Sequence, residues 1–166
     1  TASTDATTKA YVDSVKQALD IKDSVKLATT ANLAAAYNNG SSGVGATLTM
    51  DAAGTVTIDG VVTAADDRVL IKDQSTAAQN GIYKVTTAGA VGVAGVFTRV
   101  EDADSSSEVT GGLFTFVEAG SSNADNAYVL TSVTGTATIG SDALSFSQFS
   151  GAGQGRAANG LAKSGN

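Results

Sequence analysis

The chain reads as an all-β protein, an antiparallel β-sandwich or small barrel preceded by a short N-terminal α-helix. Three observations predict this. From residue 47 onward, short runs rich in β-branched and aromatic residues recur, each bounded by Gly, Asn, Asp or Ser. Several of these runs alternate apolar and polar residues, the period of a strand with one buried face. Helical periodicity is confined to the first twenty residues. With 166 residues, the chain has the length of one ordinary domain with a modest core.

The helix is expected over Thr4 to Leu19, "TDATTKAYVDSVKQAL", where Val12, Val15 and Leu19 fall on one stripe with Tyr11 and Ala18 beside them. Ser3, Thr4 and Asp5 are N-cap candidates just ahead of it. A helix this short is marginal alone and needs a partner surface. Two partners fit: its own domain, or identical chains in a short parallel coiled coil with Thr8, Val12, Val15 and Leu19 on the seam.

Strands follow. The expected runs are "TLTM" (47–50), "TVTIDGVV" (55–62), "RVLIK" (68–72), "GIYKVT" (81–86), "VFTRV" (96–100), "GLFTFVE" (112–118), "AYVLT" (127–131), "ATI" (137–139) and "LSFSQF" (144–149). Alternation assigns Val56 and Ile58, Phe114 and Phe116, and Leu144 and Phe146 to the core, against Thr57, Thr115 and Ser145 outside. Tyr83 and Tyr128 sit within strand patterns and are expected in the core. The segment Ile21 to Gly45, with "VKLATTANLAAAYNNGSSGVG" from Val25, starts strand-like, passes through an Ala-rich part that suits a helix as well as a strand, and ends in a flexible loop. The organisation is thus a helical segment over 1–20, a β-rich module over 21–150 and a Gly-rich tail over 151–166, "GAGQGRAANGLAKSGN" being its sequence from Gly151. The first residue has the look of a cut point inside a longer protein.

Composition excludes whole classes of chemistry. The chain has no His, Cys, Trp or Pro. Ser-His-Asp and Cys-His catalysis therefore cannot arise within it, and neither can a disulfide or a structural zinc site. Side chains offer only oxygen ligands to a metal. No catalytic, cofactor-binding or metal-binding residue is expected, and the protein is read as a non-enzyme. The net charge of −6 and the scattered basic residues give no footprint for nucleic acid. No apolar run has the length of a membrane span, so no membrane insertion is expected. About half the chain is Ala, Gly, Ser and Thr, which makes each large apolar residue important.

Three polar groupings merit weighing as sites. "EDADSSSE" (101–108) brings Glu101, Asp102, Asp104 and Glu108 close in sequence, but lacks the spacing and the Gly turn of an EF-hand; a solvated loop accounts for it. Asp66, Asp67 and Asp125 could be cast as paired carboxylates, although nothing in the sequence sets the required separation. Between Asp67 and Val85, "DRVLIKDQSTAAQNGIYKV" is spaced as two arms of a hairpin around a long polar loop. Asp73 is expected to cap loop amides through an Asx turn, while Gln74, Gln79 and Asn80 satisfy loop backbone groups.

The same stretch carries a resemblance. "DRVLIKDQ" (67–74), "NGIYKV" (80–85), "FTRVEDAD" (97–104), "GGLFTFVEAGSSNADNAYVLT" (111–131) and "ATIGSDALSFSQFSGAG" (137–153), in that order, resemble a β-rich module of bacteriophage tail-fibre and related virion fibre proteins. The likeness spans about Leu19 to Gly153. It implies a structural or receptor-facing unit of a homotrimer held through the N-terminal helix, acting outside the cell in the virion. Other tail or fibre proteins are the implied partners, with host surface polysaccharide as an implied receptor. "ATTKAYVDSV" (6–15) resembles the helical segments that precede such modules, and "ANGLAKSGN" (158–166) the start of a further fibre segment. The departure is "AGAVGVAGV" (88–96), where the family leads one to expect a shorter, more polar turn. A carbohydrate-binding adhesion module and a virion decoration protein are the alternative readings, and a polysaccharide-degrading enzyme comes last.

Overall fold

The computed structural model describes residues 19–151. The predicted helix, with its seam residues Thr8, Val12 and Val15, lies outside the described residues, and so does the tail beyond Gly151. Asp20, assigned to the helical segment from sequence, already begins a strand.

Twelve strands and two 3-10 turns make up the described chain. The strands are β1 (Asp20–Ile21), β2 (Leu27–Ala28), β3 (Ala35–Asn38), β4 (Thr47–Ala53), β5 (Thr57–Ile58), β6 (Val61–Val62), β7 (Arg68–Ile71), β8 (Gly81–Thr87), β9 (Ala94–Arg99), β10 (Leu113–Phe116), β11 (Asn126–Leu130) and β12 (Phe146–Gly151). The 3-10 turns are Ala77–Gln79 and Glu101–Ala103. One sheet has the order β1-β10-β11-β12, a second β2-β7-β8-β9-β4-β3, and β5-β6 stands as a separate hairpin. No sheet closes into a barrel, which removes that half of the sequence expectation. Nor is the fold wholly antiparallel: β1 runs parallel to β10 and β2 parallel to β7.

Apolar packing holds the sheets together from two sides. Leu70 and Ile82 of the six-stranded sheet share one buried cluster with Leu113, Tyr128 and Leu130 of the four-stranded sheet. The opposite face of the six-stranded sheet, with Leu27, Leu48, Val69, Tyr83, Val85 and Phe97, is covered by Val56 and Ile58. Burying each Leu, Ile or Phe contributes about 1.5–3 kcal/mol relative to leaving it in water. A hydrogen-bonded tie joins the two sheets as well. Tyr128 Oη donates to Asn123 Oδ1 at 2.6 Å, and Asn123 Nδ2 donates to the carbonyls of Ala28 and Thr29.

Local chemistry explains the β5–β6 hairpin. Ile58 pairs with Val61 across a two-residue turn whose residues, Asp59 and Gly60, have φ of 48° and 81°. Asp-Gly suits the primed turn that matches strand twist. Asp59 also accepts the amides of Ser122 and Asn123, which pins the hairpin to the loop before β11.

At β10 the expected faces reverse. Thr115 is fully buried, while Phe116 is 41 % exposed and Phe114 partly so. The run around β10 has two apolar phases, and the core takes Leu113 and Val117, which places Thr115 inside with them. Its hydroxyl is satisfied there by donating to the Asp23 carbonyl at 3.0 Å. The Ala-rich stretch holds no helix: residues 31–34 are irregular, and Ala35 and Ala36 open strand β3. "ATI" forms no strand; the residue before it, Thr136, makes an isolated bridge to Thr110. For Val56, Ile58 and Leu144 the predicted faces hold, and Tyr83 and Tyr128 are core residues.

Candidate functional site

The polar loop between β7 and β8 is occupied by its own structure. Gln74 spans to Leu33, its Oε1 accepting the Leu33 amide at 2.7 Å and its Nε2 donating to the Leu33 carbonyl. Asn80 Oδ1 accepts the Gln74 amide, and Asn80 Nδ2 donates to the carbonyls of Lys72 and Leu144. Asp73 forms no Asx turn. It accepts from the Thr29 hydroxyl at 2.7 Å and pairs with Lys72, while Thr29 Oγ1 takes the Lys72 amide. Gln79 contributes through its carbonyl, which accepts from Tyr83 Oη at 2.6 Å.

Behind this loop lies a residue that sequence reading passed over. Arg99, only 3 % exposed, stands on the core side of β9 opposite Tyr83, with its guanidinium 4.8 Å from the Tyr83 ring centre. Its Nη2 donates to the Asn80 carbonyl and to Tyr83 Oη. Burial pushes the Tyr83 phenol up, and the nearby Arg99 charge offsets only part of this. The signal was present in "VFTRV", because Phe97 and Arg99 share a strand face.

A groove of about 590 Å³ opens on the other face of the same strands. Arg68, Lys84 and Thr98 stand in one cross-strand row, and Thr86 lies on the same face at its end. The turn Glu101–Asp104 and the loop at Val44–Gly45 form its walls. Arg68 makes a two-pronged pair with Asp102, both contacts at 3.0 Å. Lys84 meets Asp66 at 3.6 Å, and both side chains are largely exposed, so that pair constrains Lys84 little. Thr86 and Thr98 hydroxyls are 3.0 Å apart, and Thr86 also donates to the Val96 carbonyl. This is a hydroxyl-lined surface carrying both signs of charge. It can hydrogen-bond a polar ligand, and neither hydroxyl has a basic partner to activate it.

The acidic run divides its roles. Asp102 pairs with Arg68, and Glu108 accepts from the Ser105 hydroxyl and amide, which lowers its pKa. Asp104 is buried, and that burial, followed by the charge of Glu108, raises its pKa. Among the described residues no three acidic side chains converge as a cation site. Asp67 binds Lys26 Nζ at 2.8 Å and accepts the Ala64 amide, whereas Asp66 and Asp125 occupy turn positions with positive φ. The three carboxylates form no common centre. The loop 88–96 is a hairpin turn whose Val91 is fully exposed.

One further surface is apolar. On the outer face of the four-stranded sheet, Ile21, Phe114 and Val129 form a cross-strand row, and Phe149 packs edge-on against Phe114 with ring centres 5.7 Å apart. Ile21 and Phe149 are 63 % and 61 % exposed. Among the described residues no helix is long and apolar enough to cross a membrane. Comparison with protein-family models, with curated proteins and with solved structures finds no match to the chain.

Proposed function

We propose that the chain is a non-enzymatic structural module of a bacteriophage tail or virion fibre, homotrimeric through its N-terminal helix, working outside the cell as a spacer or attachment unit. One observation carries the reading on the structural side: the chain enters through β1 and leaves through β12, the two edge strands of one sheet. The described residues thus begin and end in one layer, an arrangement that suits a module threaded along a fibre. The motifs of the family resemblance are consistent with a scaffold role, since Asp73, Gln74 and Asn80 spend their polar groups on internal bonds. Light scattering of the full chain at micromolar concentration tests this. A trimer is expected, with dissociation in a Val12→Asp/Val15→Asp variant. A strict monomer for the unaltered chain would sink the reading.

A carbohydrate-binding adhesion module is the second reading, and the groove over Arg68, Lys84, Thr86 and Thr98 favours it. Binding on an array of surface polysaccharides, abolished by Lys84→Ala, is its expected signature. No binding across the array leaves the spacer role.

A further inference from the structure

We infer that the groove over Lys84, Thr86 and Thr98 takes an amino sugar whose free ammonium group docks on Asp104 and Glu101. The inference rests on the carbohydrate-binding reading and names the class of sugar. At about 590 Å³ the groove has the size of a small-ligand site, which runs to roughly 300–1,000 Å³. Hydrogen-bond capacity then selects the chemistry. A threonine hydroxyl has a single proton to give. Thr86 gives its proton to the Val96 carbonyl, so the 3.0 Å contact between the two hydroxyls is Thr98 donating to Thr86. Both protons are spent, and the row offers a ligand only acceptor oxygens. Arg68 spends its terminal nitrogens on Asp102, and its Nε is buried out of a ligand's reach. Arg99 is closed in the same way, with Nη2 held by Asn80 and Tyr83 and its other nitrogens buried. Among the groove's side-chain nitrogens, half-exposed and loosely paired Lys84 is left to serve a ligand's oxygens.

The wall of the groove is short of donors. Asp104 is 8 % exposed, lines the groove, and its carboxylate accepts from no donor among the described residues. The groups that act on it are like charges, Glu108 and Glu101, and an Arg99 guanidinium committed elsewhere. Burial foremost, and then Glu108, raises its pKa, as expected of a carboxylate with no donor of its own. Such a group costs stability in the free chain, and a ligand that donates to it relieves that cost. Glu101 beside it is exposed and forms no ion pair among the described residues. Arg68 with Asp102 and Lys84 with Asp66 cancel in charge, which leaves the wall negative through Asp104 and Glu101. An ammonium brings three donors, no acceptor and the opposite charge. The sugar hydroxyls around it can donate to the threonine oxygens and accept from Lys84. No aromatic side chain lines the groove, so the apolar face of a neutral sugar has no platform on which to stack.

The test is titration calorimetry of the full chain with a glucosamine hexamer, its amines protonated, beside an N-acetylglucosamine hexamer and a glucose hexamer. The glucosamine hexamer is expected to bind at least tenfold more tightly than the other two. Asp104→Asn should weaken its binding at least tenfold and erase the preference over the acetylated hexamer, and Glu101→Gln should weaken it in the same direction. Asp51→Asn, which removes an equal charge outside the groove, should leave binding unchanged. Thermal melts of each variant establish that it is folded, and Glu101→Gln, at an exposed position, carries the test should Asp104→Asn not fold. Equal binding of the three hexamers, or equal weakening by Asp51→Asn, overturns the inference and leaves the carbohydrate-binding reading standing. Spermidine bound as tightly as the glucosamine hexamer also overturns it, because the groove would then recognise charge without a sugar ring. Binding of none of the hexamers, and of nothing on the polysaccharide array, removes the carbohydrate-binding reading along with it.

Discussion

Asn80 Nδ2 donates to the Leu144 carbonyl at 2.9 Å, joining the tip of the β7–β8 hairpin to the segment that leads into β12. The same amide group donates to the Lys72 carbonyl, and its oxygen takes the Gln74 amide. A buried side chain that satisfies three backbone groups cannot be shortened without leaving them unpaired. Asn80→Ala is expected to cost roughly 2–3 kcal/mol, or about 5–10 °C in melting temperature. Asp73→Ala should cost about 1 kcal/mol, since that carboxylate is 30 % exposed and its pair with Lys72 is partly screened. Thermal melts followed by circular dichroism decide it, and equal losses for the two variants would contradict the ranking.

Stability at high pH should depend on Tyr83. Its pKa in the folded chain lies above the ordinary value of 10.0, because burial disfavours the phenolate. The unfolded chain therefore releases its proton first as pH rises. Stability from this group is complete below about pH 10 and declines above it. Tyr128 is shifted the same way, by burial foremost, and contributes to the same decline. Tyr83→Phe should lose about 1–2 kcal/mol at neutral pH, because Gln79 loses its donor, and should show a shallower fall between pH 10 and 11. Urea denaturation at a series of pH values gives both quantities; parallel curves for the two proteins would refute the assignment.

How much of this was legible in the sequence depended on the range of the contacts. The β7–β8 hairpin and its polar loop were readable because Arg68↔Lys84 pairing and the Asn80–Gln74 bond lie close along the chain. Strands β1 and β2, two residues each, exist because remote partners hold them, Asp20 against Leu113 and Leu27 against Val69. No local pattern signals such pairs. At β10 the sequence offered two apolar phases, and only the opposing sheet chose between them. The outward turn of Phe114 and Phe116 is hidden in the sequence for the same reason, because both phases of the run fit the strand period. Arg99 broke a rule that is nearly always safe, that a charged residue belongs outside.

Asp104 should be a position where removing a charge stabilises the chain. Its folded pKa is raised above the ordinary 3.8, by burial first and by Glu108 second. Stability from this group is therefore present below about pH 3.8 and lost as pH rises through the folded value. Asp104→Asn keeps the shape and removes the penalty. The variant should melt higher at pH 7, and the difference should vanish near pH 3. A lower melting temperature at pH 7 would show that the carboxylate has a favourable partner there.

Gly81 and Arg99 should be energetically coupled. Gly81 has φ of +150°, and a Cβ on it would overlap Arg99 Nη1. Gly81→Ala therefore meets two separate penalties: a backbone conformation that L side chains rarely adopt, and displacement of a guanidinium that is held by Asn80 and Tyr83. Together they should cost about 2–4 kcal/mol. Arg99→Ala removes the second penalty and leaves the first. In that background Gly81→Ala should cost about 1–2 kcal/mol less than in the unaltered chain, a coupling that contact between the two residues requires. A double-mutant cycle in urea measures it. Strict additivity would mean that the guanidinium moves aside freely, and that its position over Tyr83 is not what demands a glycine at 81.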